Sequence, residues 1–230
     1  MHAALIVAGG RGSRFGGPTP KQYREVGGAA VLRHTVLAFR RHPAISRIQV
    51  VIHPDDAPLY AAAMAGLDLP PPVLGGATRQ DSVRRGLEAL ASSMPATVLI
   101  HDAVRPFVAP ETISAVIAAL AVHRAVIAGL PVVDTLKRCR GDLVSETLDR
   151  AGVWRAQTPQ GFRFADILAA HRAYSATESE ATDDSVIAER AGLRVAMVMG
   201  SEDAFKITDA ADLARAEAVL RLKRAGGEGG

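Results

Sequence analysis

The sequence predicts a single domain of the α/β class, built on a doubly wound and mostly parallel sheet. Apolar runs that suit strands buried on both faces alternate along the chain with segments whose apolar residues recur at helical spacing. In such a fold, helices cover both faces of the sheet and ligands bind at the carboxyl ends of the strands. The glycine-rich segment that follows the first apolar run is therefore the first candidate site.

The predicted elements follow one another along the chain. Strands are expected at residues 3–9, 47–54, 73–74, 97–103, 125–133 and 193–200. Helices are expected at residues 31–42 and 58–67, within 75–90, from Pro110 onward, and at 164–174, 183–192 and 209–224. Each predicted strand except the first is thus flanked by helical segments, which is typical of βα units.

Residues 134–158 interrupt this alternation. Polar and apolar stretches alternate there around a turn signal at Arg140-Gly141-Asp142, which predicts a protruding β-hairpin arm. No linker or repeat divides the chain, so we predict one domain over residues 1–224 with an arm at about 134–158. The final AGGEGG, residues 225–230, is predicted to be a disordered tail.

The composition argues against several classes of protein and partner. With 230 residues, 48% of them hydrophobic, the chain can bury one sizeable core. It contains no run of about 18 apolar residues and no signal-peptide pattern, so we expect a cytoplasmic protein without a membrane partner. The single cysteine, Cys139, excludes an internal disulfide. A net charge of +3 argues against a nucleic-acid partner bound by bulk electrostatics.

The segment GGRGSRFGGPTPKQY, residues 9–23, combines five glycines with three cations. Glycines let backbone N–H groups approach a polyphosphate, and Arg14 and Lys21 can neutralise charge that develops during phosphoryl transfer. A dinucleotide fingerprint fits less well, because Phe15 takes the third glycine position and no acidic residue follows about 20 residues later to hold a ribose. A plain surface loop is the other alternative.

Several further stretches carry a family resemblance. The order A-G-G-x-G-x-R followed by P-K-Q-Y is shared by several nucleotidyltransferase families. The stretches that narrow the choice among these families are GGATRQDSV (75–83), HDAVRP (101–106), PVVDTLKR (131–138), WRAQTPQGF (154–162), TDD (182–184) and FKIT (205–208). With them the chain resembles, from about residue 4 to residue 220, the 2-C-methyl-D-erythritol 4-phosphate cytidylyltransferases of the non-mevalonate isoprenoid pathway. The resemblance implies a Rossmann-like nucleotidyltransferase fold.

The resemblance also implies a reaction. A cytidylyl group would pass from CTP to 2-C-methyl-D-erythritol 4-phosphate (MEP), giving 4-diphosphocytidyl-2-C-methyl-D-erythritol and pyrophosphate, with Mg²⁺ or another divalent cation as cofactor. The acceptor phosphate would attack the α-phosphorus of CTP in line, while Arg14, Lys21 and the cation stabilise the transition state. Because that phosphate is already ionised at neutral pH, no general base is required, and His101 is expected to be a packed or hydrogen-bonded neighbour.

The predicted nucleotide side lies at strand ends. Backbone groups of Gly75 and Gly76 would read the pyrimidine edge, and Ser82 would add a hydroxyl contact. Asp102 follows an apolar strand, where a carboxylate suits a divalent metal ion or a ribose. A turn capped by Asp81 or Ser82 would explain some of the same residue types without any ligand. The full predicted nucleotide-binding set is Ala8, Gly9, Gly10, Gly12, Gly76, Ser82, Asp102 and Ala103.

The acceptor side follows from the resemblance. It comprises Asp134, Thr135, Arg150, Thr158 and Lys206, with Arg105 either contacting phosphate or locking its own loop. Arg150 and Lys206, counted with Arg14 and Lys21 as catalytic, would bring two anions within attacking distance. From the residues alone, a solvated surface charge or salt bridge is the better interpretation of Arg150, and the family resemblance reverses that preference. In the family the arm crosses to a second subunit, so Thr135 and Arg150 would complete the neighbouring site of a homodimer.

Some alternatives and departures stay open. A cytidylyltransferase for another alditol phosphate, such as ribitol 5-phosphate, would share the glycine-rich loop, and a non-catalytic nucleotide-binding protein would bind CTP without releasing pyrophosphate. The chain departs from common family forms at Ser13, Ala77 and Phe205; Ala77 stands where an acidic residue is often found. Asp183-Asp184 is expected to be the N-cap of the following helix.

Overall fold

The computed structural model describes residues 1–10, 19–174 and 181–227. Its strands are β1 (His2–Ala8), β2 (Glu25–Val26), β3 (Ala29–Ala30), β4 (Ile45–Ile52), β5 (Val73–Leu74), β6 (Thr97–Asp102), β7 (Ala125–Pro131), β8 (Leu136–Arg140), β9 (Leu143–Leu148), β10 (Trp154–Arg163) and β11 (Val195–Met199). Its α-helices are α1 (Val31–Arg40), α2 (Ala57–Ala63), α3 (Arg79–Leu90), α4 (Pro110–Ala119), α5 (Phe164–Ala173), α6 (Asp184–Arg190) and α7 (Ala210–Gly227). None of these helices is both long enough and apolar enough to cross a bilayer.

A seven-stranded sheet organises the molecule, in the order β11-β7-β10-β6-β1-β4-β5. β1 pairs in parallel with β4 and β6, β4 with β5, and β7 with β11. β10 runs antiparallel to both of its neighbours, β6 and β7. The predicted mostly parallel sheet is therefore confirmed, and the carboxyl ends of all strands but β10 lie along one edge.

Helices cover both faces of this sheet, as the alternation along β1 shows. Ala4 and Ile6 pack in one buried cluster with side chains of α1 and α4. Ala3 and Leu5 pack in a second cluster with side chains of α3, α5 and α6. These four residues are fully buried, which explains why the strand reads as a continuous apolar run.

A smaller buried cluster ties the end of the chain to the sheet edge. Ile207 and Ala216 pack with Val26, Val31 and Phe107, so α7 lies against the β2–β3 hairpin and the segment after β6. The Ile207 N–H also donates to the Val104 carbonyl at 2.9 Å. This hydrogen bond fixes Lys206, the residue before Ile207, close to the carboxyl end of β6.

β10 is the principal departure from the sequence prediction. The whole of residues 134–158 was expected in the arm, but residues from Trp154 onward form an interior strand of the main sheet, between β7 and β6. Three of its residues, Gln157, Thr158 and Gln160, are polar yet buried, and their hydrogen bonds replace the apolar pattern that would have revealed a strand. The arm is correspondingly shorter, with its hairpin confined to β8 and β9.

The end of the chain differs from the prediction as well. α7 continues to Gly227, so residues 225–227 are helical where a disordered tail was expected. Residues 228–230 lie outside the described residues.

The arm is a hairpin that reverses at Gly141, whose φ of 59° lies in the left-handed region that favours glycine. Within the described residues, β8 and β9 pair only with each other. Leu143 and Val144 are 77% and 60% exposed. Because an isolated two-stranded hairpin is marginally stable in water, this exposed apolar surface is well suited to packing against another surface.

Candidate active site

A cavity of about 460 Å³ opens at the carboxyl ends of β1 and β6. Its wall includes these sequence-predicted site residues: Ala8, Gly9, Gly10, Lys21, Gly76, Ser82, Asp102, Ala103 and Lys206. The fold thus gathers residues from both ends of the chain around one space. Two further predicted residues, Gly12 and Arg14, lie outside the described residues.

Gln22 fastens the glycine-rich segment to the sheet. Its buried Nε2 donates to the carbonyls of Ala8 at 2.8 Å and Gly10 at 3.1 Å. Gln22 lies in the 3₁₀ turn Lys21–Tyr23, which begins directly after Pro20. Lys21 is therefore presented to the cavity by a turn whose position is set by buried hydrogen bonds.

Ser82 shapes the loop that precedes α3. Its hydroxyl donates to the Thr78 carbonyl at 2.9 Å and accepts the Gly76 N–H at 3.1 Å. The Gly75 N–H donates to the Ile52 carbonyl at 2.8 Å, and a Cβ on Gly75 would lie 2.7 Å from the Ser82 oxygen. The Ser82 hydroxyl thus donates its one proton and accepts one N–H within the protein, which leaves one lone pair on its oxygen for a hydrogen bond from a ligand. The predicted reading of the base by backbone groups of Gly75 and Gly76 stays a prediction, in which their N–H groups take no part because both are bonded within the protein.

Asp102 is the charged centre of the cavity. Its Oδ2 lies 3.1 Å from Lys206 Nζ and 3.4 Å from Arg105 Nε, and Arg79 lies 3.9 Å from Oδ1. Burial alone would raise the pKa of Asp102. The positive charges of Lys206, Arg79 and Arg105 outweigh burial and hold its pKa well below the ordinary value. Asp102 is thus a carboxylate at neutral pH.

His101 and Thr158 support Asp102 from beneath. His101 Nε2 lies 3.0 Å from the Arg105 carbonyl, which only accepts, so this nitrogen carries the proton. Burial lowers the pKa of His101 to about 4, so the ring is neutral and Nδ1 accepts from the Thr158 hydroxyl at 2.9 Å. Thr158 Oγ1 in turn accepts the Asp102 N–H at 3.2 Å. The neutral, fully bonded ring agrees with the prediction that His101 is no general base.

Thr158 was predicted to bind the acceptor, and its surroundings give it a different principal task. It is 4% exposed and its hydroxyl proton is committed to His101. It is absent from the cavity wall. Within its own chain Thr158 supports the backbone of Asp102, and its predicted contact with the acceptor stays a prediction.

Arg105 locks the loop after β6. Besides its contact with Asp102, its guanidinium donates to the Ala204 carbonyl at 2.8 Å. Of the two roles weighed for Arg105, the contacts within the chain match the lock. The bond to Ala204 also holds the turn that leads to Lys206.

The predicted acceptor residues of the arm lie elsewhere. Arg150 donates to the Val133 carbonyl at the base of the arm, and Asp134, Thr135 and Arg150 are all exposed. They do not line the cavity of their own chain. Their predicted role in a neighbouring site stays a prediction.

Arg79 is a charged residue of the cavity wall that sequence reasoning missed. It is the first residue of α3. Its guanidinium lies 2.7 Å from the fully buried Asp184. The expected N-cap role belongs to Asp183 alone, which accepts the Val186 N–H at 3.1 Å. The signal available in the sequence was an arginine inside GGATRQDSV, but its partner is distant along the chain.

A divalent cation would find one carboxylate here. The described residues contain no group of three or more His, Cys, Asp or Glu side chains placed to hold a metal ion. Asp102 alone offers a carboxylate oxygen, Oδ1, that makes no hydrogen bond within those residues. A single carboxylate fits Mg²⁺, which takes most of its remaining ligands from substrate phosphates and water.

Comparison with known proteins defines the family. The sequence profile of the 2-C-methyl-D-erythritol 4-phosphate cytidylyltransferases matches residues 2–222. The chain belongs to this family. A relative with that name from Cereibacter sphaeroides is 49% identical over 224 residues, covering 96% of this chain and 97% of the relative.

Solved structures of the family share the fold. The 4-diphosphocytidyl-2C-methyl-D-erythritol synthase from Anaerococcus prevotii superposes with a TM-score of 0.83 at 34% identity, covering 96% of each chain. The cytidylyltransferase from Thermus thermophilus gives a TM-score of 0.76 at 34% identity, covering 96% of this chain and 100% of that one.

Many family relatives are longer than this chain. The bifunctional enzyme IspD/IspF from Paramagnetospirillum magneticum is 54% identical over 216 residues, which are 94% of this chain and 56% of the relative. The chain thus spans about half the length of the bifunctional relatives that it matches.

Proposed function

We propose that this chain transfers the cytidylyl group of CTP to MEP and releases pyrophosphate, a step in isoprenoid precursor biosynthesis. The observation that carries the proposal is the cavity, where Lys21, Asp102 and Lys206 converge from separate segments beside the glycine-rich end of β1. Two cations flanking a carboxylate suit a polyphosphate with a divalent ion. Family membership supports the choice of substrates.

In the proposed reaction, an oxygen of the MEP phosphate attacks the α-phosphorus of CTP. A new P–O bond forms as the bond to the oxygen bridging the α- and β-phosphorus atoms breaks, and pyrophosphate leaves with that electron pair. Lys21 stabilises the charge that develops on the transferring phosphoryl group, and Arg14 is proposed to share this task. An ionised phosphate needs no base, which agrees with a neutral His101.

Base choice would be set at the loop before α3. The N–H groups of Gly75 and Gly76 are hydrogen-bonded within the protein, and the Gly75 carbonyl accepts from Arg85. The carbonyls of Gly76 and Ala77, two residues of the cavity wall, are therefore the acceptors proposed for a ligand. The 4-amino group of cytosine is a donor, whereas uracil presents an acceptor at that position. These acceptors support CTP over UTP.

The proposed divalent cation would be held by Asp102 Oδ1 and the phosphates of CTP. When bound, it would neutralise phosphate charge and polarise the transferring group. Lys206 lies 3.1 Å from the other oxygen of Asp102, so the two carboxylate oxygens have different surroundings.

The acceptor would be positioned by Lys206 together with residues at the base of the arm. Arg150, Asp134 and Thr135 lie outside the cavity of their own chain, and the arm carries exposed apolar side chains. Both observations support a homodimer in which the arm of one chain completes the site of the other, and we propose the cytoplasm as its location.

The test is pyrophosphate release in the presence of Mg²⁺. The acceptors are MEP and ribitol 5-phosphate, and the nucleotides are CTP, UTP, ATP and GTP. The proposal predicts release with CTP and MEP alone. Pyrophosphate release with ribitol 5-phosphate in place of MEP would overturn the assignment of the acceptor. CTP binding with no pyrophosphate release from any combination of nucleotide and acceptor would overturn the assignment of the chain as an enzyme.

A further inference from the structure

The guanidinium of Arg79 lies between two carboxylates at unequal distances. It is 2.7 Å from Asp184 Oδ2 and 3.9 Å from Asp102 Oδ1. The first distance is that of a charge-assisted hydrogen bond, and the second is too long for one. Arg79 is therefore bonded on the side away from the cavity centre and only electrostatically coupled to Asp102.

The two oxygens of Asp102 are consequently not equivalent. Oδ2 is shared by Lys206 at 3.1 Å and Arg105 at 3.4 Å. Oδ1 forms no hydrogen bond to any residue in the described ranges. A shift of Arg79 by roughly 1 Å would bring it to hydrogen-bond distance and cover this oxygen.

Asp184 is a firmly anchored partner for Arg79. It is fully buried, and its backbone N–H donates to Gln160 Oε1 at 3.1 Å. The same Gln160 oxygen accepts the Ser185 N–H at 3.0 Å, which fixes the start of α6 to the interior strand β10. On its other side, Asp184 Oδ1 lies 3.3 Å from His171 Nε2 on α5, a close contact in which neither atom makes a hydrogen bond within the described residues.

Arg79 would gain a hydrogen bond by moving if its contact with Asp184 were lost. Its second terminal nitrogen is buried and has no hydrogen-bond partner among the described residues. An unpaired buried donor costs free energy, so a freed guanidinium would gain by turning towards Asp102.

We propose that Asp184 is a positioning residue that holds Arg79 away from Asp102 Oδ1, so that this oxygen stays open to the bound ligand. Arg79 then contributes charge to the cavity without occupying the ligand's place. The inference rests on the proposed function only in taking CTP as the ligand of Asp102.

The direct test is a crystal structure of Asp184→Asn without ligand. Asparagine keeps the shape of the side chain and removes its charge. We expect the guanidinium of Arg79 to lie within hydrogen-bond distance of Asp102 Oδ1 in the variant. A guanidinium left at its present distance from Asp102 would overturn the inference, whatever the chain binds.

Calorimetry of CTP with Mg²⁺ tests the functional consequence. Asp184→Asn is expected to weaken CTP binding by about tenfold, which corresponds to the loss of one charge-assisted contact. The double variant Arg79→Met with Asp184→Asn removes the released guanidinium together with the buried charge. It is expected to bind CTP more tightly than Asp184→Asn but less tightly than wild type, because the charge of Arg79 is lost from the cavity. Affinity in the double variant no better than in Asp184→Asn would overturn the inference.

A matched control uses the exposed pair Arg124–Asp166, whose side chains meet at 2.5 to 2.7 Å outside the cavity. Asp166→Asn makes the same chemical change and is expected to leave CTP affinity unchanged. If wild-type protein bound no CTP, the proposed function would fail, while the crystal structure of Asp184→Asn would still decide the role of Asp184.

Discussion

Around the cavity at the ends of β1 and β6, side chains are held by partners from several elements, whereas the β8–β9 arm is held by its own pairing within the described residues. Asp102 is 9% exposed and lies within reach of three cations, while Leu143 on the arm is 77% exposed. The cavity is therefore preorganised inside one chain. The arm, in contrast, presents exposed apolar side chains, and the role proposed for it requires a second chain.

Replacing Lys21 with alanine is expected to have the largest effect on the preorganised half of the site. Loss of one fixed cation at the transferring phosphoryl group should lower kcat by ~10²–10³-fold, with a smaller change in KM for MEP. Steady-state kinetics of pyrophosphate release measures both. Lys223→Ala, which removes a lysine from α7, is the control, and a near-normal kcat for Lys21→Ala would remove Lys21 from the catalytic machinery.

Arg150→Ala should affect the half of the site that the arm is proposed to supply. Removing a charged hydrogen-bond donor to the acceptor phosphate should lower kcat/KM for MEP by about 10- to 100-fold. CTP affinity, measured by calorimetry, should stay at the wild-type value. Arg138→Ala removes an exposed arginine from the same arm and serves as the control. Loss of CTP binding in Arg150→Ala would move this residue to the nucleotide side.

The pH dependence of stability should report the buried support beneath Asp102. The unfolded chain protonates His101 near pH 6.5, whereas the folded chain does so only near pH 4. Protonation in this interval therefore favours unfolding, and stabilisation present above pH 6.5 is lost as the pH falls. Between pH 7.5 and pH 5, wild-type protein should lose roughly 2 kcal/mol more than His101→Asn in urea denaturation. Equal losses would show that His101 is not the buried neutral group described here.

Thr158→Val should have a smaller effect, confined to the same support. Valine leaves the buried Asp102 N–H without its acceptor, which should cost about 1–3 kcal/mol in unfolding free energy and lower kcat. Thr158→Ser keeps the hydroxyl and should restore most of both quantities. If valine and serine behaved alike, the hydroxyl of Thr158 would have no supporting role.

The sequence predicted most of the fold because its signals are local. β1 is buried on both faces and reads as a continuous apolar run, and the helix spacing follows from the single face that each helix buries. β10 escaped prediction because Gln157, Thr158 and Gln160 are satisfied by hydrogen bonds to distant segments. The spacing of apolar residues along the sequence contains no information about such distant hydrogen-bond partners.

The same division applies to the site. Lys21, Asp102 and Ser82 were found because glycine-rich turns and strand ends mark a cavity edge in the sequence. The importance of Arg79 depends on Asp184, more than 100 positions away, and the task of Thr158 depends on the tautomer of His101. Pairings of this kind are set by tertiary packing, so no local pattern could have shown them.

Mixing two impaired variants tests most directly the account that two chains build each site. Lys21→Ala damages the cavity half and Arg150→Ala the arm half, so each protein alone should keep at most about a tenth of wild-type kcat/KM. If the arm completes the partner's site, mixed dimers hold one intact site, and the equilibrated mixture should recover about a quarter of wild-type activity. No recovery, under conditions where mixed dimers are shown to form, would contradict the account.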